Sequence, residues 1–169
     1  MSWWRIAHPS RCARERDMQH ATAKAAVIDW LDLAIPDQQL HFELGRAIVA
    51  QCGNLVSRVL YIKNGINTNF AILDAGMTEL IRPALYQAFH KIENISSSSK
   101  EIIKYDVVGP ICESSDCFGK AISLPETKRG DVIVIRSAGA YVEVMASKYN
   151  LRDDVRSYFS DFIITSEAK

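Results

Sequence analysis

Apolar positions change their period twice along the chain. From Thr22 to Ala34 they recur at helical spacing: Val27, Trp30, Leu31 and Ala34 share one face, while Asp29 and Asp32 fall elsewhere. Pro36 and Asp37 end that helix, and its single apolar stripe must bury against something. Upstream, Met1 to His20 mixes Trp, Arg and His without a period. After Gln39 the character turns to strand. Leu40-His41-Phe42-Glu43 is short and ends at Gly45, and Ala47 to Ala50 is a short apolar run. Leu55 to Lys63 alternates as a long strand, with Val56, Leu60 and Ile62 spaced by two or four. Asn64-Gly65 is a strong turn signal, and Asn69 to Asp74 reads as the partner strand.

Leu80 to Phe89 predicts one short helix with Pro83 in its first turn. His90 to Ile95 predicts a strand and Ser96 to Ser99 a loop. Ile102 to Val108 is β-rich, and Gly109-Pro110 breaks it. Lys128-Arg129-Gly130-Asp131 is a turn before a buried strand, Val132 to Ile135, which small residues end at Ser137 to Gly139. Val144 to Tyr149 is a short helical or extended segment. The expected fold is mainly β with a few helices (α+β), built as a compact β-barrel or sandwich. Residues 1–38 form a divergent segment with one amphipathic helix, 39–152 the β domain, and 153–169 a tail.

Composition narrows the class. The 169 residues are 48% hydrophobic and 24% charged, enough apolar content for a core without metal or disulfides. Lys+Arg and Asp+Glu are both 20, so bulk charge favours neither nucleic acid nor membrane as partner. Cys12, Cys52, Cys112 and Cys117 show no CxxC pair, which points to reduced thiols and a cytoplasmic setting. No apolar run approaches a membrane span, and Trp3-Trp4-Arg5 is followed by no apolar stretch of the secretory kind. His8, His20, His41 and His90 stand singly, without a metal-ligand spacing. GxGxxG, Walker A and GxSxG patterns are all absent.

Candidate chemistry sits at element ends, where sites are usually built. Arg46 follows Gly45 after a strand. Arg82 and Tyr86 are four apart and share a helix face. Cys112 and Glu113 lie just past Gly109-Pro110, and Tyr141 follows Ser-Ala-Gly-Ala at the end of a buried strand. Two arginines suit an anionic substrate, because the guanidinium fork matches a carboxylate. A thiol beside a carboxylate offers a proton donor and a cation binder. Taken singly, each is ordinary: an isolated arginine is usually solvated, an isolated cysteine or tyrosine usually core.

The combination is not ordinary. Phe42-Glu43-Leu44-Gly45-Arg46, Phe70-Ala71-Ile72-Leu73-Asp74-Ala75-Gly76-Met77, Leu80-Ile81-Arg82-Pro83-Ala84-Leu85-Tyr86, the run from Tyr105 through Val108-Gly109-Pro110-Ile111-Cys112-Glu113-Ser114-Ser115 to Asp116, and Arg136-Ser137-Ala138-Gly139-Ala140-Tyr141 resemble, in order and spacing, the C-terminal part of diaminopimelate decarboxylases. These belong to the alanine-racemase-like, fold-type III enzymes that use pyridoxal 5'-phosphate (PLP). The resemblance covers about Gln39 to Arg152. It implies a β-rich domain that, in the family, accompanies a PLP-binding TIM barrel within a head-to-tail dimer. The implied reaction is meso-2,6-diaminopimelate to L-lysine and carbon dioxide. By the same resemblance Glu43 lies near the cofactor phosphate, and Arg46, Arg82 and Tyr86 bind substrate carboxylate. Cys112 is the proton donor and Glu113 reads the distal amino group, both lent across the dimer. Tyr141 contacts the cofactor.

Three departures from the family pattern shape the expectations. The Schiff-base lysine lies upstream in the family and no residue here matches it, nor is there a glycine-rich phosphate loop, so the chain by itself is expected to be inactive. The alternative is a non-catalytic module that pairs with an intact subunit or a separately encoded barrel half. Residues 1–38 follow the family poorly, although the Thr22 helix and the Leu40–Glu43 strand would be the remnant of a last barrel unit. Val142 stands where the family usually has glycine. If that position required positive φ, valine would strain it by about 1–3 kcal/mol.

Overall fold

The structure, a computed structural model, describes residues 45–154 and 156–159. The Thr22–Ala34 helix, the Leu40–Glu43 strand and Glu43 itself lie outside the described residues. Within them the chain forms six strands and short helices: α1 (Arg46–Val49), a 3-10 turn (Ala50–Cys52), β1 (Leu55–Asn64), β2 (Asn69–Leu73), α2 (Arg82–Tyr86), β3 (Ile92–Asn94), β4 (Ile102–Val108), β5 (Cys117–Pro125), β6 (Val132–Ile135), and two further 3-10 turns (Glu143–Met145, Tyr149–Leu151). The mainly-β expectation holds. Among the described residues no helix is long and apolar enough to cross a membrane.

The strands make one sheet in the order β3-β6-β1-β2-β4-β5. All neighbours are antiparallel except β2 and β4, which run parallel and are joined through α2 and β3. The two edges curl toward each other: a Cβ placed on Gly119 of β5 would lie 3.5 Å from Ile92 Cδ1 of β3. The sheet is therefore a nearly closed barrel, the form that removes exposed strand edges. Its interior holds Val59, Leu73, Leu80, Val107, Leu124, Ile133 and Ile135, all nearly inaccessible.

Strand β1 changes its inward-facing positions partway along. Leu55, Ser57 and Val59 point inward, whereas Val56 and Leu60 are exposed. The pairing with β2 slips between Val59 and Tyr61, and this bulge changes the phase so that Ile62 packs against the core again. The first half of β1 pairs with β6 and the second with β2, so one bent strand serves both sides of the barrel. Buried Ser57 is accommodated because its hydroxyl donates to Asp74 Oδ1 at 2.5 Å and accepts from the Ala75 N–H at 3.1 Å.

Strand β5 is the element the alternation does not announce. Ala121 sits at φ 52°, the ladder with β4 shifts between Tyr105 and Val107, and Asp106 Oδ1 accepts the Ala121 N–H at 2.7 Å. A bulge held by a side chain breaks the period-two pattern. Three other segments are shorter or different from expectation. Ala47–Ala50 falls in a helical turn rather than an extended run, the Leu80–Phe89 helix contracts to Arg82–Tyr86, and at Val144–Tyr149 the helical option is taken only as parts of two separate 3-10 turns. Helix α2 stops because Gln87 takes the left-handed conformation, φ 53°.

Candidate functional site

Arg82 opens α2 and Tyr86 closes it, one turn apart on the same face as expected. The Arg82 guanidinium carbon stands 5.3 Å from the Tyr86 ring centroid and 5.8 Å from that of Tyr141. Both rings lie within cation–π range, and both are half exposed.

Tyr141 reaches this place through an unusual turn. After β6 the chain passes Ser137 at φ 59° and Tyr141 at φ 58°. These are left-handed conformations that cost about 1–3 kcal/mol each outside glycine. Val142 does not carry that strain: its φ is −100°, and its side chain packs against the core. The strained residue of the pair is the tyrosine.

Two backbone hydrogen bonds hold the turn against the segment that carries Arg46. The Ala138 N–H donates to the Gly53 carbonyl and the Gly139 N–H to the Ala50 carbonyl, both at 2.8 Å. Only glycines permit so close an approach. A Cβ on Gly53 would lie 2.5 Å from Gly139 Cα, and one on Gly139 would lie 2.1 Å from the Val49 oxygen. The junction also sets the Tyr141 hydroxyl beside Gly45, 3.7 Å from where a Cβ there would stand. The fold thus brings Arg82, Tyr86 and Tyr141 together, with Arg46 next in the chain to Gly45.

Cys112 and Glu113 occupy a different loop, between β4 and β5. The Cys112 thiol is free and exposed. Glu113 turns back on its own loop, where its Oε1 accepts from the Ser115 N–H and hydroxyl at 3.2 Å and from the Ser114 hydroxyl at 3.3 Å. The Ser115 backbone and hydroxyl, with Ser114, hold its carboxyl below the usual value. Glu113 and Ser115 line an open cleft of about 360 Å³ with Met77, Ile81, Ser147 and Tyr149. That cleft reaches Ile81, the residue directly before Arg82 at the start of α2.

Sequence reasoning missed the groups that hold these loops. Asp116 is buried, 4% exposed. Its Oδ1 accepts the Met77 N–H at 2.6 Å and its Oδ2 the Ile111 N–H at 2.8 Å. Burial pushes its carboxyl up, the two backbone N–H groups oppose that, and the nearby Glu79 charge adds to it. Glu79, also buried, accepts the Gly76 N–H at 2.6 Å and faces Arg152 Nη2 at 3.6 Å. Arg152 in turn donates to the Asp74 carbonyl. The available signal was position alone: Asp116 closes the Cys112-to-Asp116 run, and Arg152 lies where the resemblance ends.

The family described as pyridoxal-dependent decarboxylase, C-terminal sheet domain, matches residues 17–139. A curated relative, diaminopimelate decarboxylase of Bacteroides thetaiotaomicron, is 65% identical over 129 residues, 76% of this chain and 33% of that protein. The diaminopimelate decarboxylase of Helicobacter pylori is 51% identical over 111 residues, 65% of this chain and 27% of that one. The chain thus spans about a third or less of the length of these relatives. Among solved structures, a mutant diaminopimelate decarboxylase from Helicobacter pylori complexed with L-lysine superposes with a TM-score of 0.61 at 53% identity, covering 65% of this chain and 27% of that one. The diaminopimelate decarboxylase from M. jannaschii in co-complex with L-lysine gives 0.64 at 36% identity, covering 76% and 29%. On the match over residues 17–139, and with the nearly closed barrel, this chain belongs to the family of the pyridoxal-dependent decarboxylase C-terminal sheet domain.

Proposed function

We propose that this chain supplies the sheet-domain side of a diaminopimelate decarboxylase, which converts meso-2,6-diaminopimelate to L-lysine and carbon dioxide. The observation that carries the reading is the clustering of Arg82, Tyr86 and Tyr141, from segments more than fifty residues apart, beside the Gly45–Arg46 step. The domain proper is residues 39–152, and a cytoplasmic setting fits the free thiols of Cys52, Cys112 and Cys117.

The residues present fit one wall of a PLP site. A phenol and guanidinium groups suit an anionic cofactor and a carboxylate substrate, and the half-exposed rings leave the opposite side open to a barrel. When bound, PLP supplies an electron sink for the bond that releases carbon dioxide. The chain's own residues bind and orient. Arg46, Arg82 and Tyr86 would take a substrate carboxylate and Tyr141 would contact the cofactor, and the family resemblance assigns Glu43 to the cofactor phosphate. In the dimer, Cys112 holds at Sγ the proton that replaces the lost carboxylate. Glu113, kept ionised by its serine hydrogen bonds, receives the distal ammonium group. The cofactor lysine comes from a barrel outside these residues.

A non-catalytic role as a pairing module is the second reading. It draws on the apolar side chains exposed around the cluster: Ile48, Leu85, Tyr86 and Phe89.

One complementation assay tests both. The 169-residue chain is mixed with a full-length family enzyme whose own cysteine–glutamate pair is disabled, with PLP and meso-diaminopimelate, and lysine is measured. The chain alone is expected to form none, and the mixture is expected to regain activity through Cys112 and Glu113. A stable complex without lysine formation favours the pairing module. Lysine formed by the chain alone refutes the assignment of the cofactor lysine to a separate barrel.

A further inference from the structure

We infer that Asp116 is a positioning residue whose one buried carboxylate ties the loop carrying Cys112 and Glu113 to the loop leading into Arg82 and Tyr86. The roles of those four residues rest on the reading above. The tie itself rests on geometry.

The two oxygens of Asp116 serve two different segments, Oδ1 the Met77 N–H and Oδ2 the Ile111 N–H. Met77 lies five residues before Arg82, and Ile111 directly precedes Cys112. The Asp116 backbone closes the same loop, because its carbonyl accepts the Gly109 N–H at 3.1 Å and its N–H donates to the Glu113 carbonyl at 3.1 Å. The seat is tight. A Cβ on Gly109 would lie 2.3 and 2.5 Å from the carboxylate oxygens and 2.5 Å from Gly76 Cα, and one on Gly76 would lie 3.1 Å from both oxygens. Glycines at 76 and 109 let the two backbones close around this carboxylate. Glu79 and Arg152 flank it as the neighbouring charges.

An ionised carboxylate is the side chain of this size that accepts at both ends. An amide in its place presents an NH2 to one of the two N–H donors, so one loop must let go. In the proposed dimer, where Cys112 and Glu113 serve the partner's site, Asp116 couples the loop a subunit lends to the loop with which it builds its own site.

The test uses the full chain, isotopically labelled, as wild type and Asp116→Asn. Two quantities are read by NMR: the titration of the Glu113 carboxyl, and amide exchange at Met77, Ile111 and Val59, the last a core amide bonded to the Asp131 carbonyl. The Glu113 carboxyl is expected to move up toward its ordinary value as its loop loosens. Removing the Asp116 charge alone would move it down, so the sign separates positioning from electrostatics. Exchange at Met77 or Ile111 is expected to quicken about tenfold, with Val59 unchanged. A Glu113 value that falls or stays, unaltered exchange at both loop amides, or equal loosening at Val59 overturns the inference. Should the variant not fold, the wild-type chain decides: the Met77 and Ile111 amide shifts must follow one common titration, and separate midpoints or none overturn it. Decarboxylation enters neither readout, so failure of the proposed reaction is distinguishable from failure of this tie.

Discussion

Replacing Gly139 by alanine tests the junction that places Tyr141. The new Cβ would stand 2.1 Å from the Val49 oxygen, 2.8 Å from the Gly53 nitrogen and 2.9 Å from Cys52 Sγ. A carbon–oxygen contact is comfortable at about 3.3–3.6 Å, so the methyl is roughly 1.2 Å too close. Two of the three obstacles are backbone atoms and cannot swing aside. The turn must therefore lift off the Ala50–Gly53 segment. Overpacking of this kind costs about 1–3 kcal/mol. The two 2.8 Å hydrogen bonds that span the junction contribute about 0.5–1.5 kcal/mol each. Gly139→Ala is expected to lose about 2–6 kcal/mol in all. Urea unfolding followed by far-ultraviolet circular dichroism measures it as a lower midpoint at unchanged slope. The Arg82 side-chain NH resonance, shifted by the Tyr86 and Tyr141 rings, is expected to move toward its value in a free side chain as Tyr141 withdraws. A variant as stable as the parent, with the Arg82 resonance unmoved, would refute the close approach of these two segments and the argument that Gly139 positions the tyrosine.

Three further outcomes are expected. Glu93 pairs with Lys91 and with Arg136 Nε, both at 2.5 Å, and those two hydrogen bonds, with the attraction of both cations, hold its folded carboxyl below 4.5. A depressed carboxyl stabilises above its unfolded value and loses that contribution as pH falls through the folded one. The stability gap between wild type and Glu93→Gln is thus expected to be about 0.2–1 kcal/mol near neutrality and to close as pH falls below 4.5, and a gap that widens in acid would contradict the pairing. Leu73→Ala, at a fully buried site among Val59, Val107 and their neighbours, is expected to cost about 2–5 kcal/mol by chemical unfolding, and a cost within the surface range of about 0.5 kcal/mol would show that Leu73 is not core. Gln87→Gly is expected to gain up to about 1 kcal/mol in the same experiment, because Gln87 is exposed at φ 53° where glycine carries no steric penalty, and a loss would mean that its side chain makes a contact worth keeping.

Much of the fold was legible because its signals are local. Asn64-Gly65 and Lys128-to-Asp131 announced turns, and the runs at Leu55, Ile102 and Val132 announced strands where the structure has them. Period-two reasoning failed at both bulges. In β1 it grouped Val56, Leu60 and Ile62, of which Ile62 packs against the core while Val56 and Leu60 are exposed and Leu55 and Val59 are the buried ones. Local alternation cannot say which face is inside when the strand bends and changes partners midway. In β5 the bulge at Ala121 depends on Asp106 from the neighbouring strand, which no window along β5 contains. Helix α2 is shorter than its apolar spacing predicts because Gln87 ends it in a left-handed cap without glycine.

The candidate site divides the same way. By itself, the sequence determined the family resemblance and the mainly-β class, and it singled out Arg46, Arg82, Tyr86, Cys112, Glu113 and Tyr141 as candidates, since motifs and turn chemistry are written in consecutive residues. Only the tertiary structure decided that Arg82 lies between two tyrosine rings, that the strain at the Ser137–Val142 turn falls on Tyr141 and not on Val142, and that Asp116, Glu79 and Arg152 hold the loops. Those facts depend on which backbone segments approach one another across long stretches of chain. Such approaches are set by the closure of the barrel and by the glycines that let its loops touch.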